Sequence, residues 1–183
     1  MQLKVLIAII FVVLSLSACT SVAPPYRPSL INAQQLKKMT HPLALGEFSA
    51  EKPELEKITV RASTFEANDG SFSAYLKNAI KSELVLASML GTEGDAELTA
   101  TLLTNELNTS NLVTGEGKIS ARFFVIMNKA LTYDKVREAT ITFPSSFFGA
   151  HAIPNAINAY PDLVQRLIET LYLDQDFAAA TNK

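Results

Sequence analysis

Apolar and polar side chains alternate at residues 58–62. Ile58, Val60 and Ala62 share one parity and Thr59 and Arg61 the other, the two-residue period of a half-buried strand. Asn68-Asp69-Gly70 then reads as a turn, after which Asp69 or Ser71 is placed to cap a helix. Phe72, Tyr75, Leu76, Ala79, Ile80, Glu83, Leu84 and Ala87 recur at three- and four-residue steps, with Lys77, Asn78, Lys81 and Ser82 on the other face. Gly91 is the expected stop, in the position after the C-cap. Three more alternating runs follow, carried by Ala96, Leu98, Ala100 and Leu102, by Ile119, Ala121, Phe123, Val125 and Met127, and by Tyr133, Ala139, Ile141 and Phe143. Their connections, 105–117 and 128–132, are polar and hairpin-like, which predicts antiparallel pairing.

A closing helix is predicted from about Pro154, with Ile153, Ile157, Tyr160, Val164, Leu167, Ile168 and Leu171 as its apolar stripe and a kink or restart at Pro161. The predicted order is β-α-β-β-β-α. It describes an α+β domain in which two helices cover one face of a four-stranded, mainly antiparallel sheet. The domain is expected over residues 54–175, with a frayed tail at 176–183. Residues 19–53 hold Pro24, Pro25, Pro28, Pro42 and Pro53 and read as a tether, with one short helix over residues 30–39.

The N-terminus changes the picture most. Lys4 precedes an apolar run over residues 5–16, and Ser17 and Ala18 are small. A run of this length suits a secretory signal over residues 1–18 and is too short for a spanning helix, which needs about 20 residues. Leu16-Ser17-Ala18-Cys19 resembles the lipobox of bacterial lipoproteins. The resemblance implies lipidation of Cys19, cleavage before it and membrane attachment through its acyl chains. Thr20 stands where an Asp would signal inner-membrane retention, so the resemblance implies the periplasmic face of the outer membrane. Cys19 is the only cysteine in 183 residues, so no disulfide can form within the chain. Net charge is −2 and no basic block is longer than Lys37-Lys38, so nucleic acid is not an expected partner.

With Cys19, the element order over about residues 56–173 resembles the YajG-type lipoproteins. More distantly it resembles other small envelope lipoproteins with two helices on a four-stranded sheet, such as the lipopolysaccharide-assembly lipoprotein LptE and ABC-transport auxiliary lipoproteins. The stretches that carry this resemblance are Phe72 to Leu84, Ala96 to Leu107 and Ile157 to Leu171. It implies a location and a fold, and no particular activity.

Candidate chemistry is thin. Ser145 and Ser146 lie near His151 in sequence, and Asp162 follows, but no Gly-x-Ser-x-Gly surrounds either serine. His41 and His151 are the only histidines and lack metal-ligand spacing, so no metal or cofactor is expected. Gly115-Glu116-Gly117 lacks a phosphate-cradling pattern and reads as a hairpin turn. The apolar excess is more informative. Phe124 and Ile126 face opposite to Phe123 and Val125, and Phe143, Phe147 and Phe148 cluster before His151. These five form the expected interaction surface, since exposed apolar patches mark contact sites. The expected role is a non-enzymatic accessory or scaffold that meets another envelope protein. The alternative is a lipid- or glycolipid-handling auxiliary with a cleft between helices and sheet.

Overall fold

The computed structural model describes residues 20–92 and 96–182; the signal segment and Cys19 lie outside them. Two sheets form. Strands β2 (Leu43–Ala50), β5 (Ala96–Asn108), β6 (Thr114–Met127) and β7 (Ala130–Pro144) make a four-stranded sheet in the order β2-β5-β6-β7. Strands β1 (Thr20–Val22), β4 (Ser63–Glu66) and β3 (Ile58–Val60) make a three-stranded sheet in the order β1-β4-β3. Among the described residues four α-helices accompany them: α1 (Leu30–Leu36), α2 (Phe72–Ala87), α3 (Gly149–Tyr172) and α4 (Gln175–Thr181). The architecture is α+β, and it differs from a single antiparallel sheet with two helices. Both sheets are mixed, because β2 runs parallel to β5 and β1 runs parallel to β4.

The fourth strand of the large sheet comes from β2, within the expected tether, and not from the run at residues 58–62. Two physical features account for this. Leu43 and Leu45 pair across from Ala96 and Leu98, but the register shifts before Phe48 pairs with Ala100. A bulge at that shift flips the parity of Phe48 and Ala50 relative to Leu43 and Leu45, which erases the two-residue period. At residues 58–62 the chain does not stay extended. Arg61 and Ala62 take left-handed conformations, with φ of 48° and 64°, and turn β3 back into β4.

The tail expected to be frayed is ordered, and the short helix expected within residues 30–39 forms. Residues 175–181 form α4, capped by the Asp174 side chain, and bury Phe177, Ala180 and Thr181. Residues 30–36 form α1, capped by Ser29. Helix α3 starts at Gly149 and continues through both Pro154 and Pro161 without a restart. Its buried stripe, including Ile157, Tyr160, Val164, Leu167 and Ile168, fixes it against the sheet on both sides of Pro161. Helix α2 is capped by Ser71, whose hydroxyl accepts from Ala74 N at 3.1 Å. It ends on Ser88, at φ 59°, and not on Gly91. Gly91 N instead donates to Leu43 O at 2.8 Å, joining the helix exit to β2.

The core lies between one face of the large sheet and helices α2 and α3. Leu98, Ile119, Ala121, Phe123 and Val125 face the helices, and all are essentially inaccessible. Phe65, Phe72, Tyr75 and Tyr160 form an aromatic cluster with ring centroids 4.8–5.4 Å apart. Tyr160 hydroxyl donates to Asn105 Oδ1 at 3.0 Å, and Asn105 Nδ2 donates to Leu55 O at 2.9 Å, so the buried polar tips are satisfied. Gly115 and Gly117 lie inside β6, not in a turn. A Cβ at Gly115 would come within 2.2 Å of the Phe143 ring, so glycine is what lets that ring approach the neighbouring strand so closely.

Candidate functional site

The N-terminal segment is built into the domain. Thr20, Ser21 and Val22 pair with Thr64, Phe65 and Glu66. Further along, Glu83 on α2 is completely buried, and its Oε1 accepts from Tyr26 hydroxyl, from Ser29 N at 2.9 Å and from Asn32 Nδ2 at 3.2 Å. Glu83 therefore holds three points of the segment that leads from β1 into α1. Burial and the hydrogen bond to this carboxylate push the Tyr26 phenol far above its ordinary value. Burial does the same to Tyr172, with the Glu83 charge adding to it. Tyr75 hydroxyl adds a fourth point by donating to Pro24 O at 2.8 Å.

One end of the molecule gathers three loops. Arg61, in the β3–β4 turn, donates from Nη1 to Phe147 O at 2.7 Å and from Nη2 to Ser146 O at 2.6 Å and Thr109 O at 2.9 Å. Its Nε reaches Thr109 Oγ1 at 3.2 Å. The β5–β6 loop and the β7–α3 loop also meet directly, since Ser145 N donates to Val113 O at 2.9 Å. Phe147 and Phe148 stack edge to face with centroids 5.6 Å apart. They are 70% and 67% exposed, beside Leu112 at 53% and Val113 at 76%.

The face of the large sheet away from the helices is open. Phe124 is half-buried there because Arg122 lies over its ring, 5.1 Å from the centroid. Arg122 is held in turn by Asp134, at 2.7 Å from Nε to Oδ1 and 2.8 Å from Nη2 to Oδ2. The hydrogen bond and charge of each partner raise the guanidinium's pKa and lower the carboxyl's. Ile126 pairs across from Leu131, and both are exposed, as is Val136.

The five residues of the expected surface therefore separate. Phe147 and Phe148 stand at the three-loop end, and Phe124 and Ile126 stand on the open face. Phe143 is a correction: it is buried on the helix side of β7, over Gly115, and belongs to the core. Sequence reasoning missed Leu112, Val113, Leu131 and Val136. Leu112 and Val113 sit in a loop where no period applies. Leu131 lies past a register shift between Val125 and Ile126 that breaks the alternation.

Ser145, Ser146 and His151 form no catalytic arrangement among the described residues. Ser146 Oγ accepts from Phe148 N at 3.2 Å, and His151 N donates to Phe148 O at 3.1 Å, so these groups build the helix entry. Among the described residues no three His, Cys, Asp or Glu side chains converge. No helix among them is long and apolar enough to cross a membrane. Tyr160, Leu163, Val164 and Leu167 are buried in the layer between helices and sheet, and at its edge a groove of about 390 Å³ lies between α3 and β7, lined by Ile141, Phe143, Asn155 and Asp162. A groove of about 590 Å³ lies between β3 and the half of β5 beyond β2, lined by Ile58, Val60, Asn105 and Leu107.

No protein-family model matches this chain, and no curated protein does. The chain is similar to solved structures. Protein XCC0632 from Xanthomonas campestris, of the DUF330 family, aligns at a TM-score of 0.57 and 10% identity, over 85% of this chain and 95% of that one. A candidate lipoprotein from Caulobacter crescentus CB15 aligns at a TM-score of 0.48 and 12% identity, over 81% of this chain and 93% of that one. At 10% identity the likeness to XCC0632 concerns the fold alone.

Proposed function

We propose that this protein is a lipid-anchored accessory protein of the bacterial envelope. It is attached by acyl chains on Cys19 to the periplasmic face of the outer membrane and acts by contact, not by chemical turnover. The observation that carries this reading is Leu16-Ser17-Ala18-Cys19, behind which Thr20–Val22 already pair with β4. Cleavage before Cys19 would remove the signal and leave the ordered domain whole. The thiolate is the nucleophile such acylation needs, and more than one acyl chain gives stable attachment.

The contact role draws on the open face of the large sheet. Ile126, Leu131 and Val136 leave apolar surface exposed around the Arg122–Asp134 pair, a mixture suited to an envelope protein partner. The test is fractionation of the native envelope. Wild-type protein is expected in the outer-membrane fraction, and Cys19→Ala is expected to accumulate as uncleaved precursor. Crosslinking from Phe124 should then join the wild-type protein to a discrete envelope protein. Recovery of the wild-type chain in the soluble periplasmic fraction would overturn the anchoring. Absence of any crosslinked protein would overturn the contact role.

A further inference from the structure

The geometry points to the three-loop end of the domain, bearing Leu112, Val113, Phe147 and Phe148, as a surface that rests in the lipid leaflet carrying the anchor. This inference rests on the anchored reading above and concerns how the domain sits on the bilayer.

Chain direction places the anchor and the apolar residues together. Strand β1 begins at Thr20, which pairs with Thr64, three positions beyond Arg61. Because β1 and β4 are parallel, the chain before Thr20 joins the domain at the end where the β3–β4 turn lies. Arg61 of that turn bonds Thr109, Ser146 and Phe147, so the other two loops share this end. Successive Cα atoms are about 3.8 Å apart, so Cys19 has no tether with which to stand the domain off the membrane. An acylated Cys19 brings this end, and no other, to the headgroups.

The composition of the end fits a lipid surface better than a protein groove. Residues 107–115 and 143–161 contain no Asp, Glu, Lys or Arg. The cation that is present, Arg61, is occupied by backbone oxygens of the same loops. Two aromatic rings and two aliphatic side chains then project from uncharged loops, a pattern suited to shallow burial at the headgroup–acyl boundary. The turn that ties the loops together has Arg61 and Ala62 both left-handed.

The test uses the full acylated protein reconstituted in phosphatidylethanolamine–phosphatidylglycerol vesicles. An acylated Cys19 carries no free thiol, so single cysteines introduced by Phe147→Cys, Val113→Cys and Lys129→Cys take a polarity-sensitive fluorophore selectively. Lys129 lies in the β6–β7 turn, at the opposite end of the sheet. The expected result is blue-shifted emission at 147 and 113, quenched by lipid-borne nitroxide several-fold more than at 129, with aqueous iodide giving the reverse order. Equal iodide access at all three sites would overturn the inference. Protection of 147 in native envelopes but not in protein-free vesicles would also overturn it, by naming a protein as the occupant. Mass analysis of the same samples keeps the two readings apart: an unacylated Cys19 defeats the anchor, whereas an acylated Cys19 with a water-exposed 147 defeats this inference alone.

Discussion

Tyr26 and Glu83 are joined by a hydrogen bond across 57 positions of sequence, with the Tyr26 hydroxyl donating to Glu83 Oε1. The same oxygen takes the Ser29 amide and the Asn32 side chain, so one buried carboxylate fixes the path from β1 to α1. Tyr26→Phe is expected to cost about 1.5–3 kcal/mol, the usual range for a hydrogen bond to a charged group. Urea unfolding measures the cost, and limited proteolysis should show faster cleavage within residues 20–39. Unchanged stability together with unchanged proteolysis would contradict the role given to Glu83.

Asp174 holds α4 on β7. Its Oδ2 accepts from Tyr133 hydroxyl at 2.9 Å and Arg137 Nη1 at 3.1 Å, and its Oδ1 accepts from Asp176 N at 2.9 Å. Burial opposes its ionisation, but the Asp176 amide, the Tyr133 hydroxyl and the nearby Arg137 and Lys135 outweigh it and hold the carboxyl below its ordinary value. A lowered folded pKa gives stability that is present above the unfolded value of about 3.9 and is lost as pH falls through the folded value. Asp174→Asn keeps a capping side chain but not the charge. It should destabilise by about 1–3 kcal/mol at pH 7, and the gap should close in acid, well below pH 4. A gap of the same size at both pH values would contradict this account.

The two faces of β6 should respond differently to truncation. Phe123 is fully buried among the helices, and Phe123→Ala is expected to cost about 3–5 kcal/mol. Ile126→Ala, on the open face, should stay within about 0.5 kcal/mol of wild type. Equilibrium unfolding of the two variants checks both values. A large loss at Ile126 would make it core and remove it from the contact surface.

Much of this layout is legible in the sequence, and its failures have local causes. Helices α2 and α3 follow from their apolar periods, and β5, β6 and most of β7 from strict alternation around Leu98, Phe123 and Tyr133. Strand β2 escapes because its bulge changes parity between Leu45 and Phe48. Arg61 and Ala62 imitate a continuing strand while forming a turn, since neither residue type announces a left-handed backbone. The buried Glu83 looks like a rim residue on a helix wheel. Its partners Tyr26, Ser29 and Asn32 come from a proline-containing stretch with no period of its own. Phe143 reads as surface with Phe147 and Phe148 because its cover, the bare backbone of Gly115, is visible only across the strand pair. The grouping of Val113 with Phe147 depends on which loops share an end, a property of topology.

The β6–β7 hairpin offers a stabilising change. Asn128 and Lys129 form its two-residue turn with φ of 52° and 65°. Glycine suits the second position of such a turn, whereas lysine is strained there by about 1–2 kcal/mol. Lys129→Gly should raise Tm by about 2–8 °C. A fall in Tm would show that Lys129 makes an interaction that outweighs its backbone strain.

Attachment through Cys19 is tested by intact-mass and peptide analysis of protein extracted in mild detergent from its own envelope. The expected N-terminal peptide begins at Cys19 and carries a diacylglyceryl thioether and an amide-linked acyl chain. A peptide that retains residues 1–18, or one with an unmodified Cys19 thiol, would contradict it.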